Sequence, residues 1–426
     1  MSDDSANALG ASSRLNSDFW KLWVGQTVSS LGSSFTLFAL PLLIFKLSNS
    51  AINLSLSTVA GFLPYLLFGL IIGAWVDRLN RRRLMIFIDL ARGVIIAFIP
   101  LMFALNLLSV WWIYGVAFVI STISIGFNAS QFAAIPKLVR REDIAVANGR
   151  MQASFSAAGV IGPILAGLLV AVMPLVAVLL FDALSFFISA LSLALIKTSF
   201  NGSSAQGRKE TTIRQDIAEG LRYVLNQPVL RAIAIMTALV NLVITTVSTQ
   251  LVLFAKHQFQ ASDTQVSLFY TASAVGVVLL SLATGFLRKR WSFGTVALGA
   301  LMLDGVLIVL VSLTPPYWLA LLFWLLIAGF GALFNINASS LRQVIAPDHM
   351  LGRVMTIATV VAWSAVPLGT LIGGIVIQQV KNVGLVYGVI GTVIFLIACA
   401  FSFSAVGRAK RYLPEEKPSL AQASTD

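Results

Sequence analysis

The stretch Gly73-Ala-Trp-Val-Asp77-Arg78-Leu-Asn80-Arg81-Arg82-Arg83 decides how the rest of the chain is read. It closes one long apolar run and opens another. Four arginines and an aspartate within eleven residues cannot sit in hydrocarbon, so the segment is a short loop between two membrane-spanning helices. Working outward, apolar runs of about 20 residues, the length that crosses a bilayer as a helix, alternate with short polar loops throughout. Of the 426 residues, 58% are hydrophobic and only 11% charged, with a mean hydropathy of +0.90, whereas a soluble domain carries about 25% charged residues. A β-barrel would instead show short segments of alternating hydrophobicity.

The pattern predicts twelve spans near residues 19–45, 51–75, 84–105, 111–135, 149–173 and 175–196, then 229–255, 263–287, 291–313, 317–340, 351–378 and 383–406. An even number puts both termini on one side. With that side inside, only Lys46, Lys256 and Lys381 of the 29 Lys and Arg fall outside, so the positive-inside rule makes both termini cytoplasmic. The loops after spans 4 and 8, with Lys137, Arg140 and Arg141 and with Arg288, Lys289 and Arg290, follow the same rule. The net charge of +12 is spread over these loops and does not form a nucleic-acid-binding domain.

The polar, acidic residues 1–18 form an N-terminal tail with no secretory-signal pattern, and residues 407–426 form a C-terminal tail. Residues 197–228 divide the two six-span bundles, 19–196 and 229–406. This cytoplasmic linker begins with Gly, Ser and charged residues, then places Ile213, Ile217, Leu221 and Val224 at helical spacing, which predicts an amphipathic helix lying on the membrane face. The bundles read as repeats. Gly73 and Gly285 stand 212 apart (285 − 73), and so do Arg92-Gly93 and Asp304-Gly305 (304 − 92). The tripeptide Asn-Ala-Ser also ends span 4, at Asn128, and span 10, at Asn337.

Gly73 to Arg83 resembles motif A of the major facilitator superfamily, with Gly73, Asp77, Arg78, Arg81 and Arg82 matching and Trp75, Val76 and Asn80 departing. Asn80 replaces a glycine, and asparagine tolerates the left-handed turn a glycine would supply. The resemblance implies that Asp77 gates the protein by capping the helix near Leu351 to Arg353 in the other half; the bland reading is a local ion pair in a positive-inside loop. Gly159, Gly162, Pro163 and Gly167 of span 5 resemble motif C of the superfamily's antiporters, and small residues there are expected to pack that helix against the other half. Further stretches in spans 1 and 6, after span 4 and before span 7 are similar to the branch with macrolide efflux proteins and the enterobactin exporter. Many relatives carry an aspartate after the span 1 glycine. Here Gly32 is followed by Ser33, so no carboxylate from that position is available to bind a proton. The arginine that many antiporters carry in span 4 is also missing.

Charges inside spans cost at least about 2.5–3.5 kcal/mol at a helix centre and are functional candidates by default. They are Asp89 and Arg92 in span 3, Asp182 in span 6 and Asp304 in span 9. Asp89 and Arg92 share a helix face and are placed to pair. Asp182 has no charged neighbour in its span and is the first choice for proton coupling, while Asp304 and Arg92, at equivalent places, are expected to be scaffold if spans 3 and 9 are peripheral as in the superfamily. Spans 1, 4, 7 and 10 line the superfamily's cavity, which nominates Gln26, Ser30, Asn128, Gln131, Asn241, Asn335 and Asn337, with Trp363 of span 11 as an aromatic surface.

An enzyme is not expected. His257 and His349 fall on opposite sides of the membrane, the lone Cys399 allows neither an intrachain disulfide nor a cysteine metal site, and no Gly-Lys-Ser/Thr phosphate loop is present. The expectation is therefore an all-α protein of twelve transmembrane helices in two pseudo-symmetric six-helix bundles, monomeric, in the bacterial inner (plasma) membrane and in contact with its lipids. It needs no cofactor or metal, and it exports an amphipathic or hydrophobic drug-like or macrolide-like small molecule in exchange for protons. A siderophore exporter or a lysolipid flippase of the same fold, and a non-transporting receptor or scaffold, are the alternatives.

Overall fold

Helix ends are set by short polar residues whose side chains or backbone dihedrals satisfy the terminal amides and carbonyls. In the computed structural model, which describes residues 16–76, 79–140, 143–200, 213–313 and 316–408, fourteen helices follow one another and no strand occurs among those residues. They are α1 (Ser17–Ser48), α2 (Ala51–Val76), α3 (Arg81–Ala104), α4 (Val110–Leu138), α5 (Ile144–Val172), α6 (Leu175–Ala194), α7 (Ile213–Asn226), α8 (Pro228–Thr249), α9 (Leu251–Phe259), α10 (Asp263–Arg290), α11 (Phe293–Ser312), α12 (Tyr317–Ile345), α13 (Asp348–Val380) and α14 (Val383–Ser402). Twelve of them, all but α7 and α9, are long and apolar enough to cross a membrane. The span predicted to run to residue 255 ends at Thr249. Gln250 leaves helical geometry there, and α9 continues as a separate piece.

Asn80 is a correction. Its φ of −71° and ψ of 101° are extended, and its side chain accepts a hydrogen bond from the Arg83 amide at 3.1 Å. It is therefore the N-cap of α3, where Asn is among the best residues, and supplies no left-handed turn. Left-handed residues do end other helices, at Asn49, Gln260 and Lys381.

The helices group into two units, Met1–Arg208 with Ala261–Thr271, and Lys209–Gln260 with Ala272–Asp426. The sequence-based halves differ from this at two places. The first turns of α10 belong to the first unit, because Thr264 donates to the Gly167 carbonyl at 3.0 Å, Lys46 pairs with Asp263, and the rings of Phe38 and Tyr270 meet edge to face. The linker helix α7 belongs to the second, because Val224, 3% exposed, packs among Leu230, Ala346, Met350, Val354 and Ile357. Of the apolar stripe, Val224 thus joins a protein core and Leu221 is exposed, so the helix lies against protein at Val224 as well as offering a face to the membrane surface; the side chains of Ile213 and Ile217 lie outside the described residues.

Each unit is held by helices that touch through glycine, since without hydrophobic drive between spans close packing does the work. In the first, a Cβ on Gly93 would lie 3.1 Å from the Ala183 carbonyl oxygen of α6; in the second, one on Gly305 would lie 2.8 Å from the Phe395 nitrogen of α14. Gly93 and Gly305 stand 212 apart (305 − 93), as do Ala183 and Phe395 (395 − 183) and the N-caps Asn80 and Ser292 (292 − 80). A second glycine contact repeats as well: Gly162 on Ser34 joins α5 to α1, and Gly369 on Leu242 joins α13 to α8. Gly162 therefore packs within its own unit, not against the other half as motif C implied. Gly167 meets Ser267 of α10, among the residues that group with the first unit.

At the end of the first unit that bears Arg81–Arg83, Phe19, Leu22, Met85, Ile88, Leu138, Met151, Leu193 and Phe200 form a closed apolar cluster. Above it, charges clamp the C-terminal end of α6. Arg82 donates to the carbonyls of Leu193, at 3.0 Å, and Ala194, and Arg81 donates to Phe200 at 3.3 Å. The Leu193 and Ala194 carbonyls belong to the last turn of α6, the pole that attracts cations, and Phe200 lies in the chain beyond it. Asp18 binds the chain just beyond, accepting from the Lys197 and Thr198 amides at 3.0 and 2.9 Å and from the Thr198 hydroxyl at 2.7 Å. Asp77 and Arg78 lie outside the described residues, as do the side chains of residues 351–353, where Asp77 was expected to act.

Candidate functional site: a polar cavity in the first unit

Gly25 and Gly32 bring α1 against α6 closely enough that an added Cβ would stand 2.8 Å from the Ser192 Cβ and 2.9 Å from an Asp182 carboxylate oxygen, respectively. That approach lets α1 receive Asp182. Thr36 donates to one carboxylate oxygen, and Ser33 and Ser185 to the other at 3.4 and 3.3 Å. Ser33, which follows Gly32 on α1, is thus a donor to an acid from α6.

One face of α1 carries Gln26, Ser30, Ser33 and Ser34. Ser30 and Ser34 return their hydroxyls to carbonyls four residues earlier, at 2.7 and 2.9 Å, which satisfies them inside a membrane span. With Ser29, Leu37, Tyr65, Ile120, Ser124, Asn128, Gln131 and the rings of Phe127, Phe155 and Phe186, they enclose a cavity of about 420 Å³ whose wall also holds Arg92.

Behind that wall runs one hydrogen-bonded chain across four helices. Gln131 of α4 donates to Gln26 of α1 at 3.2 Å, Gln26 to Ser189 of α6 at 2.8 Å, and Ser189 to Asp89 of α3 at 2.6 Å. The other Asp89 oxygen accepts from Arg92 at 3.3 Å. Arg92 lies within electrostatic reach of Asp182 as well, and its guanidinium stands 4.5 and 5.5 Å from the ring centres of Phe127 and Phe186. Two carboxylates and one guanidinium, all buried, are joined by hydroxyl and amide relays.

Of the sequence-nominated residues, Gln26, Ser30, Asn128, Gln131 and Arg92 therefore meet at one cavity, with Asp89 and Asp182 directly behind it. Ser29, Thr36, Tyr65, Ser185 and Ser189 are not among the nominated residues, and Ser33 figures there only as the absence of an acid. The signal for two of them was present: Asp182, Ser185, Ser189 and Ser192 recur at three and four residues along α6, a polar stripe facing the glycines of α1.

The second unit is different. Asp304 is fully buried, and neither carboxylate oxygen finds a donor among the described residues. Asn241 donates to the Ala362 carbonyl at 2.9 Å and so ties α8 to α13. Asn335 is exposed and turns back to Gly331 of its own helix. Trp363 is about half exposed. Asn337, expected at a cavity, is 1% exposed and donates to Leu333 at 2.8 Å; it is interior structure. Gly159 is half-buried and Pro163 buried on α5. No cluster of His, Cys, Asp or Glu suited to a metal occurs among the described residues.

The chain is 28% identical over 356 residues to the multidrug efflux pump Tap of Mycolicibacterium fortuitum, covering 80% of this chain and 85% of that one. It is 25% identical over 387 residues to macrolide efflux protein A of Streptococcus pyogenes, covering 89% and 94%. Among solved structures, the nucleoside transporter NupG matches with a TM-score of 0.74 at 13% identity, over 92% of this chain and all of that one. A bacterial homolog of the human lysosomal transporter Spinster matches with a TM-score of 0.71 at 16% identity, over 94% and 98%; these two likenesses concern the fold. The family model of the Major Facilitator Superfamily matches residues 22–361 and 233–424, and the chain belongs to that superfamily.

Proposed function

We propose that this protein is a secondary active transporter that exports an amphipathic or hydrophobic small molecule in exchange for protons, by alternating access, with both termini in the cytoplasm of a bacterial cell. The observation that carries the reading is the buried network of Asp89, Arg92 and Asp182 behind the cavity of the first unit. With all three ionised, the group keeps one surplus negative charge in a low-dielectric interior, a costly arrangement. Binding one proton cancels the surplus, so the cluster has two states that differ by a proton and border the cavity.

Asp182 is the preferred carrier, because Asp89 is already committed to Arg92 and Ser189. The relatives named as multidrug and macrolide efflux proteins support outward transport of drug-like compounds. Two glycine-packed units built on one repeat suit rocking about a central site. The distribution of Lys and Arg supports the orientation.

The test is reconstitution into liposomes with a panel of labelled drugs, siderophores and lysolipids, with and without an imposed pH gradient. Uphill movement of a drug-like compound that requires the gradient is expected. Movement of siderophores or lysolipids alone would transfer the cargo to those classes. Flux of no member of the panel would favour a receptor or scaffold.

A further inference from the structure

Arg92 is the one cationic side chain in the wall of the first unit's cavity among the described residues, and its hydrogen-bonding capacity is only partly used. A guanidinium carries five N–H donors in a fixed plane. The side chain is 8% exposed, one terminal nitrogen reaches Asp89, and its Nε–H is buried with no acceptor among the described residues. Asp89 does not take up the remainder: one of its oxygens receives a single Arg92 nitrogen at 3.3 Å and the other accepts from Ser189 at 2.6 Å.

The guanidinium is also held in place. Phe127 and Phe186, which flank it, line the same cavity, so its plane is fixed by rings and no ordering is required when an acceptor arrives. Among the described residues no carboxylate lines the cavity: Asp89 and Asp182 are 0% and 1% exposed and stand behind the wall. The Asp89–Arg92 pair is therefore a dipole with its positive end toward the cavity. The other polar groups there are neutral, five serine hydroxyls together with Gln26, Tyr65, Asn128 and Gln131.

We propose that Arg92 is a ligand-binding residue, its guanidinium receiving the carbonyl, hydroxyl or carboxylate oxygens of an oxygen-rich amphipath, neutral or anionic, and that the cavity discriminates against lipophilic cations. The apolar part of such a compound lies against Phe155, Phe127 and Phe186. Once Asp182 holds its proton and the surplus negative charge behind the wall is cancelled, lipophilic cations find a like charge at Arg92 and no exposed carboxylate to meet it. This deepens the export reading by naming the cargo's chemistry, and it rests on that reading only for the purpose of the cavity, not for coupling or direction.

The purified full-length protein is titrated with fluorescein and with rhodamine 123, which share a xanthene core and differ in charge, and binding is read by fluorescence anisotropy without any gradient. Fluorescein is expected to bind about tenfold or more tightly than rhodamine 123. Arg92→Gln should weaken fluorescein about tenfold to a hundredfold, the loss of a charge-assisted contact, and erase the preference. That variant leaves Asp89 without its partner, so the pair Asp89→Asn with Arg92→Gln removes both charges together and should show the same loss at a native melting temperature. A native chain that binds neither dye, binds both equally or prefers the cation overturns the proposal, as does a double variant that keeps native affinity for fluorescein. A binding preference that persists while no dye moves under a pH gradient would count against export alone.

Discussion

Replacing Asp182 with asparagine separates proton carriage from architecture. The carboxylate is 1% exposed and accepts from Thr36, Ser33 and Ser185 in a space opened by Gly32. Asparagine has nearly the same size. Its amide oxygen can keep one set of hydroxyl donors, and its N–H₂ can meet a hydroxyl rotated to accept, so the change in stability should stay within about 1 kcal/mol. What asparagine cannot do is take up and release a proton. For exchange of one proton per molecule, each pH unit supplies about 1.4 kcal/mol, equivalent to a concentration ratio of about tenfold. Proteoliposomes of the native chain, given a one-unit gradient and the transported member of the panel, should approach that ratio. Those with Asp182→Asn should equilibrate the compound to a ratio of about one, while melting as the native protein does. A variant that sustains the tenfold ratio would refute the assignment of Asp182 and return the choice to Asp89. Asp182→Ala is less informative, because it strands the Thr36 hydroxyl in the interior, while Ser185 keeps its bond to the backbone carbonyl of residue 182 at 2.8 Å, and so confounds coupling with folding.

Three further expectations rest on the same contacts. Asp18→Ala should lower stability by about 1.5–3 kcal/mol, since it deprives two backbone amides and the Thr198 hydroxyl of a buried charged acceptor; a detergent melting curve measures it, and an unchanged midpoint would show that the clamp on residues 197–198 is dispensable. Gly162→Val places a Cβ 2.3 Å from that of Ser34 and should cost about 1–3 kcal/mol by overpacking, whereas Gly61→Ala in α2, with nothing within 4 Å, should gain up to about 1 kcal/mol from helix propensity; the same melting assay checks both, and equal effects would disprove the packing argument. Asp304→Leu should hold or raise the melting temperature, because the native carboxylate is buried without a donor, and should leave gradient-driven efflux intact; loss of efflux would place proton chemistry in the second unit.

The spans and the repeat were legible in the sequence because both are written in local pattern. A bilayer demands long apolar helices, and an offset of 212 (305 − 93) survives in Gly93 and Gly305 because each must admit a neighbouring helix. The polar face of span 1 could be read for the same reason, and so Gln26 and Ser30 were found. Partners could not be read. That Asp182 comes to lie beside Ser33, or that Ser189 bridges Gln26 and Asp89, depends on the register between residues 100 to 163 apart in the chain, which glycine contacts set and which no local period reports. Asn80 was misjudged because one residue type serves both a left-handed turn and an N-cap, and Asn337 because a polar residue in a span can be satisfied by its own helix as well as by a ligand.

The repeat sharpens what the site requires. At the offset that carries Gly93 to Gly305 (305 − 93 = 212), Asp89 becomes Leu301, Asp182 becomes Ile394 and Ser189 becomes Phe401, while Arg92 becomes Asp304. The two units thus share the contacts that pack α3 on α6 and α11 on α14 and differ in nearly every group that could carry charge. Packing is held in common because helices in lipid are joined by close contact at small residues. The ionic network has no such constraint, and on the proposed mechanism one copy is enough to exchange a proton. Asp304, left with neither a guanidinium nor a hydroxyl donor, has the burial of its counterpart without its partners. Removing charge should accordingly change transport when done at Asp89, Arg92 or Asp182, and change only stability when done at Asp304.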